Sequence, residues 1–219
     1  MNDNKSTELS QPTAPGMHYT ACYNQPFILV GFEESQAITI EFRKRGYNAF
    51  SCDLQDCSGG HPEWHLKMDI FDAIDLRNWD MIILHPPCTA IAVSGNATYA
   101  KDKLKAKERY EAVQFAQNVW NYAKWKCYYV AMENPVGCLN TLGVFPKPQY
   151  IQPWQFGHGE TKKTGLWLHN LPKLKPTNIV EGREQKVWKM PPSEDRQKLR
   201  SKTYPGIAQA IAEQWTAVL

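Results

Sequence analysis

Short apolar runs that each close on a glycine, an acid or a thiol, separated by stretches of helical periodicity, constrain this chain more than any other feature. Pro26 to Gly31 reads as a buried strand, and Asn48 to Asp53 as a second that ends in a carboxylate. Lys67 to Ile70 reads as a third, near Asp69. Trp79 to Leu84 is a fourth and runs straight into His85-Pro86-Pro87-Cys88. Cys127 to Met132 delivers Glu133-Asn134-Pro135, and Gly165 to His169 is a further strand. Glu34 to Arg45 has partly helical spacing, with Gly46 as its stop. Lys101 to Lys126 is the clearest helix, with Ala112, Ala116, Val119, Trp120 and Ala123 on one face. A last helix starts at Pro205-Gly206 and aligns Ile207, Ile211, Trp215 and Val218. This alternation predicts an α/β fold, a doubly wound, mainly parallel, Rossmann-like sheet. Ligands of such sheets bind beyond the carboxyl ends of the strands. Gly31, Asp53, Asp69, Cys88 and Glu133 all fall at such ends, so a single site is expected.

A chain of 219 residues suits one domain around one core. The expected division is a disordered tail over 1–25 and a single domain over 26–219. No apolar run approaches a membrane span, and the polar start lacks the pattern of a signal peptide. A cytoplasmic protein without a membrane partner is expected. The net charge of +3 says little about partners, but lysines and arginines crowd the stretch 161–202. Such a segment either contacts phosphates or forms a solvated face.

Two side chains carry chemistry. Cys88 follows two prolines that take the backbone stiffly out of a strand, which places a nucleophilic thiol at the crevice. Glu133 ends an apolar strand, where a carboxylate must work or be paired. Each also has a plainer reading, as a small buried cysteine and as a cap of the next turn.

Together they carry a resemblance. Pro87-Cys88 after a strand resembles the nucleophile motif of DNA cytosine carbon-5 methyltransferases, and Ala131-Met132-Glu133-Asn134 resembles their Glu-Asn motif, 45 residues on. Phe156-Gly157-His158-Gly159-Glu160-Thr161-Lys162-Lys163-Thr164 looks like a worn copy of their arginine-bearing segment. Tyr204-Pro205-Gly206-Ile207-Ala208 is similar to the motif that closes their cofactor pocket. The ensemble looks most like the small methyltransferase-like proteins of phages and prophages. The resemblance implies S-adenosylmethionine as cofactor, held by Gly31, Phe32, Asp53, Asp69, Pro86 and Gly206. It implies catalysis by Cys88, adding to carbon 6 of cytosine, and by Glu133, holding the ring nitrogen. It implies DNA as partner, met by Asn134, Lys162, Lys163, Thr164 and Ser94, with the base flipped out of its stack.

The chain departs from that pattern in places. Gly31-Phe32-Glu33-Glu34-Ser35 has one glycine where the family has a glycine-rich loop; Ser35 is the expected cap of the next helix. Thr89 and Pro135 replace the usual glutamine and valine. Only about 37 residues separate Thr164 from Ser201, so the target-recognition insert, at about 165–200, is minimal. Sequence preference is therefore expected to be relaxed, or supplied by a protein partner. The polar loop 89–102 is a candidate closing loop over a flipped base. Cys52, Cys57, His61 and His65 have a metal-like look, but only three residues separate their cysteine and histidine pairs, and no metal is expected. Two rival readings stand: an exocyclic-amine methyltransferase with His85-Pro86-Pro87-Cys88 at its motif position, and an inactive binding or anti-defence protein on the same fold.

Overall fold

The computed structural model describes residues 25–99, 103–191, 193 and 196–219, so the expected tail lies almost wholly outside the described residues. The strands are β1 (Phe27–Gly31), β2 (Asn48–Asp53), β3 (His65–Lys67), β4 (Met81–Leu84), β5 (Tyr129–Pro135), β6 (Gln149–Ile151) and β7 (Thr164–His169). The helices are α1 (Ala37–Lys44), α2 (Ile70–Asp75), α3 (Asn96–Tyr99), α4 (Lys103–Lys126), α5 (Lys186–Lys189), α6 (Arg196–Ser201) and α7 (Pro205–Trp215). The seven strands form one sheet in the order β3-β2-β1-β4-β5-β7-β6. Pairing is parallel from β3 to β5 and antiparallel where β7 meets β5 and β6. This is the doubly wound, mainly parallel, Rossmann-like sheet that the alternation predicts.

Period-two alternation sends successive residues of each strand to opposite layers. Leu29, Ile82, Leu84, Val130 and Met132 pack with Val113, Ala116, Val119 and Trp120 of α4. Ile28, Val30, Ile83 and Ala131 pack on the other face with Ile38 and Phe42 of α1 and Ile207, Ile211 and Trp215 of α7. Both faces are covered by helices, which explains why β1 and β4 read as unbroken apolar runs.

Three details differ from expectation. The third strand ends at Lys67, and Asp69 instead caps α2, its Oδ1 accepting from Phe71 N at 2.8 Å. Strand β5 continues through Glu133 to Pro135, because β7 pairs with it along that whole length. The first part of the expected recognition insert, 165–169, is strand β7 itself. The chain beyond β7 packs back on the sheet: Leu171 and Leu174 are buried, and Trp215 Nε1 donates to Pro172 O at 3.0 Å. Strand β6 and helix α2, which alternation did not reveal, are too short to show a period.

The start of α7 needs glycine for space. A Cβ on Gly206 would sit 1.9 Å from Phe156 O, which is backbone and cannot swing away. Gly206→Ala is expected to lower stability by about 1–3 kcal/mol in denaturant titration, the usual cost of overpacking.

Candidate functional site

Register brings the expected site residues into one row. Gly31 pairs with Cys52 on one side and Leu84 on the other, and Leu84 pairs with Met132. The next residue of each strand is therefore Asp53, Phe32, His85 or Glu133, four neighbours across the carboxyl ends. His85 N donates to Gly31 O at 3.0 Å and Glu33 N to Cys52 O at 3.1 Å, which continues the ladders past the strand ends.

The loop after β1 turns without its missing glycines. Phe32 adopts φ 62° and Gln36 φ 57°, the left-handed region that glycine otherwise occupies. Glu33, not Ser35, caps α1: its carboxylate accepts from Ile38 N at 2.6 Å, Thr39 N at 3.2 Å and Thr39 Oγ1 at 2.7 Å. Gln36, fully buried, ties the loop to residue 61 through His61 O and N. Asp53 Oδ1 accepts from Gln55 N at 3.0 Å, which orients a half-buried carboxylate at the end of β2.

His85 and Glu133 form the centre. Nδ1 of His85 lies 3.1 Å from Oε2 of Glu133, with 12% and 23% of the two side chains exposed. Burial pushes the Glu133 carboxyl up, but the His85 hydrogen bond and charge, then the Lys162 charge and a Thr164 hydrogen bond, outweigh it. The net direction is down, so Glu133 is ionised in the free site at neutral pH. Cys88 responds in the opposite sense: burial, then the Glu133 charge, raises its thiol, against weaker pulls from Lys162 and Arg200. At rest Cys88 is a thiol beside a carboxylate. A cleft lined by His85, Glu133, Lys162, Thr164, Tyr204 and apolar residues of β6, β7 and α7 adjoins the His85–Glu133 pair.

The loop that bears Cys88 is pinned from several sides. Asn134 Nδ2 donates to Pro86 O at 2.9 Å, and Arg109 Nε to Ala90 O at 2.8 Å. Cys88 O accepts from Ile91 N and Ala92 N, while Cys138 N donates to Ile91 O. Gly137 is required there, since a Cβ would sit 2.2 Å from Ile91 O.

The other residues that the resemblance assigns to ligands have these places in the fold. Asn134 is buried and holds the Pro86 turn. Lys162 points inward, its Nζ donating to Arg200 O at 2.7 Å. Thr164 is buried beside Glu133. Lys163 is exposed over the Tyr150 ring, and Ser94 Oγ accepts from Arg200 Nη2 at 3.5 Å. Gly206 N donates to His158 Nε2 at 3.0 Å. Asp69 directs one oxygen to its helix cap, and residues 100–102 of the polar loop lie outside the described residues. His85, Glu33, Arg109 and Arg200 join the site without having been expected there. Of these only His85 gives a signal in the sequence, as the first residue of its Pro-Pro-Cys segment.

Three of the metal-like quartet, Cys52, His61 and His65, are otherwise engaged. Cys52 Sγ donates to Met68 O, with its thiol pushed up to about 12 by burial and then by Asp53. His65 contacts Ser51 Oγ and Gln55 O, and His61 stacks on Trp64. Among the described residues, no three His, Cys, Asp or Glu side chains are grouped to hold a metal.

No family model matches the sequence, and no curated protein does. Among solved structures, the chain is similar to the S. pombe Dnmt2 methyltransferase at 12% identity and TM-score 0.46, over 75% of this chain and 54% of that one. It is similar to the METTL16 MTase domain at 10% identity and TM-score 0.39, over 69% of this chain and 62% of that one. The chain spans between half and two thirds of the length of these structures.

The charges facing Cys88 set its reactivity. Glu133→Gln removes an anion that disfavours the thiolate, so alkylation of Cys88 by iodoacetamide at fixed pH, read by peptide mass mapping, is expected to speed up several-fold. Lys162→Met is expected to slow it.

Proposed function

We propose that this chain transfers a methyl group from S-adenosylmethionine to carbon 5 of a cytosine in DNA, through a covalent bond between Cys88 and carbon 6. The observation that supports the reading is the parallel β4–β5 register, which sets Glu133 beside His85 at the strand ends, with Cys88 in the loop that leaves β4. A thiol and a carboxyl group at neighbouring strand ends are what ring-carbon methylation requires.

The residues at the neighbouring strand ends suit the cofactor. Asp53, whose Oδ1 accepts from Gln55 N, would offer its carboxylate to a ribose diol. The Phe32 ring packs edge-on against Phe115 at 5.8 Å, and the left-handed turn at Phe32 brings the backbone round as a glycine would. Pro86 and Gly206 are assigned to the same pocket. S-adenosylmethionine supplies an electrophilic methyl group when bound.

The chain's own residues do the rest. Cys88 loses its proton to solvent, and its Sγ adds to carbon 6, which moves electron density to carbon 5 and the ring nitrogen. Glu133, ionised at rest, must take up a proton before it can donate to that nitrogen as charge develops. After transfer, the hydrogen on carbon 5 leaves as a proton, the bond from Sγ to carbon 6 breaks, and the thiolate returns. The target base must leave its stack to reach Cys88. Lys163, exposed over Tyr150, suits a phosphate contact. Because only about 37 residues separate Thr164 from Ser201, base-edge readout is slight, and specificity is relaxed or comes from a protein partner.

The exocyclic-amine reading leaves the ionised Glu133 without a task and finds histidine and cysteine where the amide and aromatic side chains would stand. Labelled methyl transfer to mixed-sequence DNA is expected to yield 5-methylcytosine, to fall to background in Cys88→Ser, and to fall strongly in Glu133→Gln. A methylated exocyclic amine, or full activity in Cys88→Ser, sinks the proposal. Calorimetric titration with S-adenosylmethionine that gives no heat of binding favours the inactive-protein reading.

A further inference from the structure

A second hollow lies on the other side of the sheet edge from the His85–Glu133 cleft. Tyr150 and Ile151 are adjacent on β6 and send their side chains to opposite layers, so Ile151 lines the first cleft and Tyr150 this one. Val93, Arg109, Cys138, Asn140 and Thr141 form further walls, and the volume is about 460 Å³. That is room for a ligand the size of a nucleotide. The hollow adjoins the segment that bears Cys88: Val93 N donates to Val136 O at 3.0 Å, and Ala92 bridges to Gly137.

The charge in this hollow is one-sided. Arg109 projects from α4 and is half-buried. Its Nε donates to Ala90 O at 2.8 Å, which fixes the guanidinium but uses only one of its donors. Nη2 is shielded from solvent and has no hydrogen-bond partner among the described residues. Among those residues, no acid lines the hollow. A half-buried cation without a counterion is costly until an anion arrives. The neutral walls are already ordered: Asn140 Nδ2 donates to the Tyr150 hydroxyl at 3.2 Å, and the Thr141 hydroxyl to Cys138 O at 3.2 Å. At the rim, the exposed Lys163 holds its Nζ 4.3 Å from the centre of the Tyr150 ring. A planar guanidinium fork with an ammonium nearby matches the oxygens of a phosphate ester. A lone carboxylate would meet the fork and leave the second cation and most of the room unused.

We propose that the hollow beside Arg109 is a phosphate-ester site, in which the guanidinium receives the phosphate of a nucleotide and Lys163 adds a second charge at the rim. The phosphate belongs either to a nucleic-acid strand or to a free nucleotide. The site stands apart from the methyl chemistry, since it lies on the opposite side of the sheet edge from Glu133.

The test is binding to the full chain of mixed-sequence DNA and of 2′-deoxycytidine 5′-monophosphate, with 2′-deoxycytidine as the phosphate-free control. Arg109→Gln is expected to weaken binding of the phosphate compound by at least about tenfold, the low end for a hydrogen bond to a charged group. For DNA it is also expected to lower the slope of log affinity against log salt by about one. Val93→Glu sets an anion on the wall at an exposed position, so the fold is spared, and a similar loss is expected. It decides the matter alone should Arg109→Gln fail to fold in thermal unfolding. Loss confined to DNA assigns the phosphate to a strand, and loss with the monophosphate assigns it to a free nucleotide. Unchanged binding in the folded variants, monophosphate and nucleoside bound alike with DNA indifferent to Arg109, or no binding of either phosphate compound to the wild type overturns the site. Binding that depends on Arg109 without methylation of a ring carbon sinks the cytosine reading and leaves the phosphate site standing.

Discussion

The pairing of β4 with β5 is the constraint on which the rest of the site depends. With Leu84 opposite Met132, the next residues are His85 and Glu133, and the ladder leaves them side by side at the rim of the sheet. A slip of one residue would turn Glu133 to the opposite layer and strand a carboxylate in a core of apolar side chains. Apolar burial on both faces fixes the register, and the register fixes the chemistry. The antiparallel strand β7 then seals Glu133 from the side, with Leu166 opposite it.

The crevice is held together by charge as much as by packing. A half-buried carboxylate without a partner would be costly. Here its neighbours are a histidine that donates and a lysine whose ammonium is itself held by backbone carbonyls. The loop after β1 repeats the pattern, since a buried glutamate is tolerated because it satisfies the orphan N–H groups of α1. That cap also offsets the strain of turning at Phe32 and Gln36 with side chains present.

Much of this was legible in the residues. The apolar runs marked β1 and β4 within two residues, because strands covered on both faces carry no polar interruption. Cys88 and Glu133 stood out because a thiol and a carboxylate at such ends are unusual. Short elements such as β6 and α2 have too few residues to show a period, and Asp69 was placed on a strand because a cap and a strand end look alike from the sequence. What pattern could not show was direction. Asn134, Lys162 and Thr164 belong to the expected site, but their side chains turn inward because β7 and the α6 segment fold over them. That depends on contacts between residues distant in the chain.

The inward turn of Lys162 has a bearing on salt. A lysine that meets a phosphate releases a counterion, and binding weakens as salt rises in proportion to the number of such contacts. Lys162 already donates to the carbonyls of Arg200 and Lys202, and Lys186 is paired with Glu160. These cations have their partners within the protein and hold no phosphate's counterion to release. The salt dependence of any polyanion bound at this face is therefore shallower than the lysines and arginines of 161–202 alone would imply.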